Sequence, residues 1–172
     1  MKIGFYYVDE QYISYLKSAE IEHRGFTTVP NTIYANRQKF FYGMIMEVNN
    51  IPYYVPISHK TTAKEHSIVI TIDNHNRCEK TGSMRFNYMI PVPRQCIRML
   101  DLKDAKQFTE SERIRIEREL KFCKGKLSAI RKLAEKTYQQ VLRGNNAELS
   151  KNSCDFLTLE DAYRLYLSEN NL

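Results

Sequence analysis

Three chemically active side chains follow one another in the segment Ser58-His59-Lys60, directly after the apolar run 55–57. RNA can be cleaved without a metal ion when its own 2′-hydroxyl attacks the adjacent phosphorus. The reaction requires a proton acceptor, stabilisation of charge on the phosphate oxygens and protonation of the leaving oxygen. A hydroxyl, an imidazole and an ammonium suit these tasks. Neighbours on an extended strand point to opposite faces, so the tripeptide marks a candidate site and does not establish one.

Signatures of other chemistries are missing from the sequence. It contains no G-x-S-x-G elbow and no glycine-rich phosphate loop. The four cysteines are widely spaced, and the four histidines lack the spacing of metal ligands. We therefore expect neither a metal nor a cofactor.

The charge of the chain favours an anionic partner. The formal net charge is +6, and residues 110–143 contain ten basic and five acidic residues, with Arg118 and Lys121 among the basic ones. A phosphate backbone would suit this block of charge. The alternative is a solvated helix face with i,i+4 ion pairs such as Glu117–Lys121.

The first half of the sequence predicts strands with one early helix. Residues 2–8 predict a strand, and Asp9 is a helix cap followed by Tyr12, Ile13 and Leu16 at helical spacing. Residues 18–38 predict an irregular polar segment suited to binding residues. Residues 40–48 and 53–57 predict a hairpin turned by asparagines. Strands are expected over 67–72 and 84–92, with a polar loop over 73–82 between them.

The second half predicts helices. Thr109 and Glu112 form a capping-box pattern, and an apolar stripe then continues to Gly144, with Gly125 as a point of division. A last helix is predicted from Thr158. We therefore predict a single α+β domain over 1–172, β-rich over 1–102 and helical over 103–172, with a twisted, mostly antiparallel sheet. The sequence also lacks an apolar run of membrane-spanning length and a signal-peptide pattern, which predicts a cytoplasmic protein.

At the level of whole motifs, the chain resembles the ToxN/AbiQ family of endoribonuclease toxins from type III toxin–antitoxin systems, and CptN-like members in particular. The likeness rests on the order and spacing of six segments: Phe5-Tyr6, Tyr12-Ile13-x-Tyr15-Leu16, Lys39-Phe40-Phe41-Tyr42-Gly43, Pro56-Ile57-Ser58-His59-Lys60, Tyr88-Met89-Ile90-Pro91-Val92-Pro93 and Leu100-Asp101-Leu102.

This resemblance implies a compact fold similar to the MazF/Kid type of toxin, with a strongly twisted sheet flanked by helices. It also implies metal-independent cleavage at adenine-rich sites that leaves a 2′,3′-cyclic phosphate. The implied partner is a repeated, structured antitoxin RNA, a pseudoknot, which the toxin processes and which inhibits it in a closed toxin–RNA assembly. The implied substrates are cellular or phage RNA, and the implied role is phage defence by abortive infection.

The resemblance also assigns catalytic residues. Ser58 matches the family's essential serine and Lys60 the lysine beside it. Ser58 would position the phosphate or the 2′-hydroxyl, and Lys60 would stabilise phosphorane charge. His59 stands where the family usually has proline, and is either an added acid–base group or a substituted loop residue.

Among the expected RNA-binding residues, Tyr12, Tyr34 and Lys39 match family positions, although Tyr12 would equally suit a core. Arg118 keeps the charge of a family Tyr-Lys pair, whereas Glu117 does not keep its aromatic ring. Lys64 and Lys121 complete the expected set. The alternative functions are a non-catalytic RNA-binding module and, in last place, a protein-interaction domain with a charged helical face.

Overall fold

The computed structural model describes residues 3–35, 37–103 and 107–172 of the chain. Its elements in chain order are β1 (Gly4–Val8), α1 (Glu10–Arg24), β2 (Ile33–Tyr34), β3 (Arg37–Gln38), β4 (Phe41–Val48), β5 (Ile51–Ser58), β6 (Ser67–Asn74), β7 (Arg77–Arg85), β8 (Ile90–Pro91), β9 (Ile97–Met99), α2 (Glu110–Gly125), α3 (Leu127–Arg143), α4 (Ala147–Lys151) and α5 (Phe156–Glu169).

The main sheet of the described residues has seven strands in the order β6-β7-β5-β4-β1-β9, with β8 also paired to β5. Neighbouring strands in this sheet are antiparallel. Strands β2 and β3 form a separate small hairpin. Helices follow in the second half of the chain, so the predicted α+β class is confirmed.

Two hairpins of the main sheet use turns of two residues with positive φ. Asn49 and Asn50 have φ of 50° and 65°, and they join β4 to β5 as predicted. His75 and Asn76, with φ of 45° and 64°, join β6 to β7. Asparagine tolerates this left-handed conformation, which two-residue hairpins of type I′ require.

The predicted loop over residues 73–82 is wrong, because most of this segment belongs to the β6–β7 hairpin. The β7 residues 77–80 are all exposed, so they lack the apolar alternation by which a strand is identified. The predicted strand over 84–92 is also wrong. Its apolar residues end β7, form a 3₁₀ turn over Phe86–Tyr88 and then form the short β8. The segment is apolar because most of its residues are buried, but its backbone does not form one continuous strand.

The predicted cap of α1 is confirmed, since the Asp9 side chain accepts a hydrogen bond from the Gln11 N–H at 2.7 Å. The helix nevertheless continues to Arg24 and ends at Gly25, whose φ is 81°. The irregular segment predicted from residue 18 therefore begins too early. The apolar helical spacing is interrupted at Glu20, which is a charged residue that is fully buried on this helix. Lys2, the first residue of the predicted first strand, lies outside the described residues.

The helical half begins as predicted. Thr109 and Glu112 form the capping box of α2, and the helix ends at Gly125 before α3 starts. Gly144, with φ of 65°, ends α3. The last helix starts at Phe156 and not at Thr158, because Asp155 is the cap and its side chain accepts a hydrogen bond from the Thr158 N–H.

The buried core contains residues from both halves of the chain. Tyr53 of β5 contacts the rings of Tyr138 and Phe156, at centroid distances of 5.8 and 5.9 Å. The hydroxyls of Tyr53 and Tyr138 both donate to the buried Glu160, at 2.7 Å. Helix α2 packs against β6, and α3 packs against β4. Within the described ranges, no helix is long and apolar enough to cross a membrane.

Candidate active site

A cleft of about 500 Å³ opens where the end of β5 meets α2 and the β2–β3 hairpin. Strands β1, β7 and β9 contribute further side chains. The residues that line the cleft are Tyr7, Tyr34, Ala35, Arg37, Gln38, Lys39, Phe40, Ile57, Ser58, His59, Thr81, Arg98, Gln107, Phe108, Glu112, Arg115, Ile116 and Glu119.

Ser58 is the last residue of β5 and pairs with Ser83 of β7. Its Oγ accepts a hydrogen bond from the Lys60 N–H at 3.2 Å, an arrangement that turns the chain sharply after the strand. A Cβ at Gly82 would lie 2.6 Å from the Ser58 carbonyl oxygen. The absence of a side chain at Gly82 therefore allows β7 to approach the reactive end of β5.

The backbone after Ser58 is held by side chains of β7. The Ser83 hydroxyl donates to the Lys60 carbonyl at 2.6 Å, and Arg85 Nε donates to the Ser83 oxygen at 3.0 Å. His59 is exposed and lines the cleft. Because this backbone is anchored, the side chains of Ser58 and His59 start from fixed positions when they contact a bound phosphate.

Tyr34 and Lys39 lie next to each other in the lining of the cleft. Tyr34 lies on β2 and is 70% exposed, and Lys39 follows β3 with its Nζ 5.4 Å from the centre of the Tyr34 ring. The hairpin is held to the sheet by Gln38, whose side-chain amide donates to the Val8 carbonyl at 2.9 Å. An exposed ring beside an ammonium suits a nucleobase and its phosphate.

Helix α2 supplies the remaining wall through Glu112, Arg115, Ile116 and Glu119, which recur at helical spacing. Glu112 forms an ion pair with Arg37 of the hairpin and also caps its own helix through Thr109. The Thr109 N–H, then Arg37 and the Thr109 hydroxyl, lower the pKa of Glu112 to about 2. This carboxylate is therefore ionised at neutral pH, and it is held by its hydrogen bonds to Thr109 and its ion pair with Arg37.

Glu119 has the opposite environment. It is only 6% exposed, and Arg115 Nε is 3.8 Å from its carboxylate. Burial raises the pKa of Glu119, with smaller opposing contributions from the Thr81 hydroxyl, Arg115 and His59. Sequence reasoning treated this residue as part of a solvated face. Its spacing from Glu112 and Ile116 was the available signal that it points to the same side.

Arg98 of β9 was also missed by the sequence reasoning. Its guanidinium lies 4.8 Å from the centre of the Tyr7 ring, and both residues line the cleft. The cleft thus gathers Arg37, Lys39, Arg98 and Arg115 against the carboxylates Glu112 and Glu119. The excess of cations favours an anionic ligand.

Tyr12, expected to contact RNA, is instead a core residue. Its side chain is fully buried, and its hydroxyl donates to the Pro91 carbonyl at 2.9 Å. Its ring contacts Tyr166 of α5 at a centroid distance of 4.9 Å. A buried, hydrogen-bonded ring that does not line the cleft is not available to RNA, so this prediction is corrected.

The other predicted cations lie outside the cleft lining. Lys60 and Lys64 are exposed in the segment after Ser58, and the Lys64 N–H donates to Ser67 Oγ at 2.8 Å. Arg118 donates to the Asp73 carbonyl and the Asn74 side chain at 3.1 and 3.3 Å, and so braces the β6–β7 turn. Lys121 is exposed further along α2. Of the nine predicted residues, the cleft brings together Ser58, His59, Tyr34 and Lys39.

A candidate metal centre does not emerge from residues 3–35, 37–103 and 107–172, where no three His, Cys, Asp or Glu side chains are grouped as metal ligands. What the cleft offers chemically is a set of cations, a serine hydroxyl, an imidazole and a buried carboxylate.

A positively charged cleft with proton-transfer groups at the end of an interior strand of an antiparallel sheet suits a protein that binds and processes a polyanion. Comparison with known families specifies the class. Residues 4–164 match the family described as toxin ToxN of type III toxin–antitoxin systems, so the chain belongs to this family. It is also 23% identical over 167 residues to the endoribonuclease ToxN of Bacillus thuringiensis subsp. kurstaki, across 94% of this chain and 83% of that protein.

Solved structures share the fold. A structure from a study of selective toxin inhibition by a non-coding RNA pseudoknot aligns with a TM-score of 0.80 at 20% identity, covering 96% of this chain and 98% of that one. The lactococcal anti-phage endoribonuclease AbiQ aligns with a TM-score of 0.79 at 23% identity, covering 98% and 99%. A third, from a study of a processed non-coding RNA that regulates an antiviral system, aligns at 0.77 with 22% identity, covering 94% and 97%.

Proposed function

We propose that this chain is an endoribonuclease toxin that cleaves RNA in the cleft at the end of β5, without a metal ion, leaving a 2′,3′-cyclic phosphate. The observation that carries the proposal is the placement of Ser58 and His59 among cations from the hairpin, β9 and α2. Membership of the ToxN family and the endoribonuclease name of a relative support it.

In this proposal Ser58 hydrogen-bonds the scissile phosphate and orients the 2′-hydroxyl for attack. Lys60 lies two residues further on and is exposed. In this proposal its ammonium neutralises the charge that develops on the phosphorane oxygens. The hydrogen bonds from Ser83 and Arg85 stabilise the backbone of this segment. Fixed geometry of this kind lowers the entropy that the reaction must lose.

RNA binding extends beyond the reacting phosphate. Tyr34 stacks on an unpaired base, and Lys39 beside it contacts a phosphate. In this proposal Lys64, Arg118 and Lys121, which do not line the cleft, make further contacts to the RNA backbone. Preference for adenine-rich sites would arise at the Tyr34 side, where a base can be read individually.

The inhibitor in this proposal is a structured antitoxin RNA, a pseudoknot, cut by the toxin from a repeated precursor and held in a closed toxin–RNA assembly. Two of the similar solved structures come from studies of a non-coding RNA pseudoknot and of a processed non-coding RNA. Inhibition follows physically, because an RNA that occupies the cationic cleft excludes other RNA. The free toxin would cleave cellular or phage RNA and act in phage defence by abortive infection, as the anti-phage name of AbiQ suggests.

The test is cleavage of an adenine-rich RNA in EDTA by the intact protein, Ser58→Ala and Lys60→Ala, with analysis of the termini. Ser168→Ala and Lys151→Ala are matched controls, since both residues are exposed and neither lines the cleft. We expect cyclic-phosphate ends from the intact protein and both controls, and a loss of at least about 100-fold in both site variants. Binding without cleavage by the intact protein would replace the proposal with a non-catalytic RNA-binding module.

A further inference from the structure

The proposed function leaves Glu119 unexplained. A carboxylate repels the phosphates of RNA, and burying one in a cleft for a polyanion also costs solvation free energy. Glu119 nevertheless lines the same cleft as Ser58 and His59 and is 6% exposed. A carboxylate that both weakens RNA binding and costs solvation free energy requires a chemical or a structural reason.

The surroundings of Glu119 come from three segments. Arg115 lies one turn earlier on α2 with Nε 3.8 Å from the carboxylate, and Cys123 lies one turn later. Thr81 faces it from β7, and His59 faces it from the segment after β5. Burial raises the pKa of Glu119 despite these partners, and Glu119 in turn contributes to a raised pKa of the Cys123 thiol. The single ion pair therefore does not offset the cost of burying the charge.

We propose that Glu119 is the general base and His59 the general acid of RNA cleavage in this cleft. The inference rests on the proposed function and deepens it by assigning the proton transfers. Serine hydroxyls are too weakly basic for the first role, and the ammonium and guanidinium groups of the cleft are hydrogen-bond donors that offer no acceptor.

The other carboxylate of the cleft is a poorer base. Glu112 is held by Thr109 and Arg37, which lower its pKa to about 2, so it has little tendency to accept a proton. Two carboxylates whose environments move their pKa values in opposite directions mark separate roles. Glu112 stabilises the hairpin and the helix cap, whereas Glu119 has the raised pKa that suits a proton acceptor.

The assigned step balances. The 2′-hydroxyl gives its proton to the Glu119 carboxylate while its oxygen forms a bond to phosphorus. The bond from phosphorus to the 5′-oxygen breaks, and protonated His59 gives a proton to that leaving oxygen. The products are a 2′,3′-cyclic phosphate and a 5′-hydroxyl, with Glu119 protonated and His59 neutral.

The first test compares Glu119→Gln with Glu117→Gln, an exposed glutamate two residues away on the same helix. We expect Glu119→Gln to lower kcat/KM by about 100-fold to 10,000-fold. The intact protein should lose rate as pH falls through a pKa above the ordinary 4.5, and this acidic limb should vanish in Glu119→Gln and persist in Glu117→Gln. A limb that persists in Glu119→Gln would overturn the assignment.

The second test separates base from acid. Once a cleavage site is mapped, an RNA whose 5′-bridging oxygen at that site is replaced by sulfur supplies a leaving group that needs no proton. His59→Ala should be impaired on ordinary RNA and restored on the sulfur substrate, and Glu119→Gln should be impaired on both. The reverse pattern would exchange the two roles and overturn the proposal. Failure of the intact protein to cleave either RNA would instead overturn the proposed function.

Thermal stability distinguishes a base from a structural partner of Arg115. Because the folded pKa of Glu119 is raised, the ionised carboxylate destabilises the fold at neutral pH, and this cost disappears as pH falls through the folded pKa. Glu119→Gln should therefore raise the Tm at neutral pH while it lowers activity. A lower Tm in Glu119→Gln would indicate a structural ion pair and contradict the inference.

Discussion

At the scale of single residues, the position of Ser58 depends on a neighbour without a side chain. Gly82 lies beside the end of β5 with no space for a Cβ, because the Ser58 carbonyl oxygen would be 2.6 Å from it. Gly125, the last residue of α2, has nothing within 4 Å of the same added atom. Gly82 is therefore required by the close approach of two backbones, whereas the space around Gly125 would accept a side chain.

The pair gives a prediction. Gly82→Ala should displace the Ser58 carbonyl and lower kcat for RNA cleavage by at least about tenfold, since small displacements of a positioned group are costly. It should also lower Tm, because backbone atoms must move to accept the methyl group. Gly125→Ala should keep full activity. Cleavage assays with circular dichroism melts measure both effects, and equal activity of the two variants would contradict the role given to Gly82.

At the scale of elements, Glu112 connects the β2–β3 hairpin to the start of α2. Its carboxylate accepts hydrogen bonds from the Thr109 N–H and hydroxyl, at 2.9 and 3.1 Å, and pairs with Arg37. The same hairpin carries Tyr34, so the helix cap also fixes one side of the cleft. An element of two short strands could not hold this position by its own hydrogen bonds.

We therefore predict a pH-dependent cost of Glu112→Gln. The folded pKa of Glu112 is about 2, below the ordinary 4.5, so its stabilisation is present above about pH 4.5 and is lost as pH falls toward 2. Urea unfolding should show Glu112→Gln less stable than the intact protein at pH 7, with the difference shrinking between pH 4.5 and 2. Glu110→Gln, exposed in the same helical turn, is the control. A difference that is constant with pH would contradict the prediction.

At the scale of the whole molecule, three separate segments bring four cations to one cleft. Arg37 and Lys39 come from the hairpin, Arg98 from β9 and Arg115 from α2. The hairpin, β9 and α2 are separate in the chain, so the charge density of the cleft is a property of the assembled fold. RNA should bind there with release of counterions.

This arrangement predicts the salt dependence of binding. In a Ser58→Ala background that prevents cleavage, Arg98→Ala should reduce the slope of log K against log salt concentration for single-stranded RNA by about 0.7. Lys151→Ala, exposed and outside the cleft, should leave the slope unchanged. Fluorescence anisotropy titrations measure the slope. Affinity that hardly responds to salt in the parent protein would instead favour a protein-interaction domain.

The sequence by itself determined the features that depend on near neighbours in the chain. The caps at Asp9 and Thr109 and the break at Gly125 each follow from a few adjacent residues, and the structure confirms them. The Asn49-Asn50 turn is confirmed for the same reason. Alternation and helical spacing likewise gave the α+β class, and the order of motifs gave the family.

Only the tertiary structure decided which of these residues form the cleft. Tyr12 and Tyr34 are the same type of side chain, but α5 and Pro91 bury the first, while the second is 70% exposed. Glu117 and Glu119 are two residues apart, but only Glu119 is turned toward His59 and Thr81 and buried there. Burial and charge environment depend on segments that pack together from distant parts of the chain. Helical spacing can place Glu119 on the same side as Ile116, but it does not identify which distant segments pack against that side.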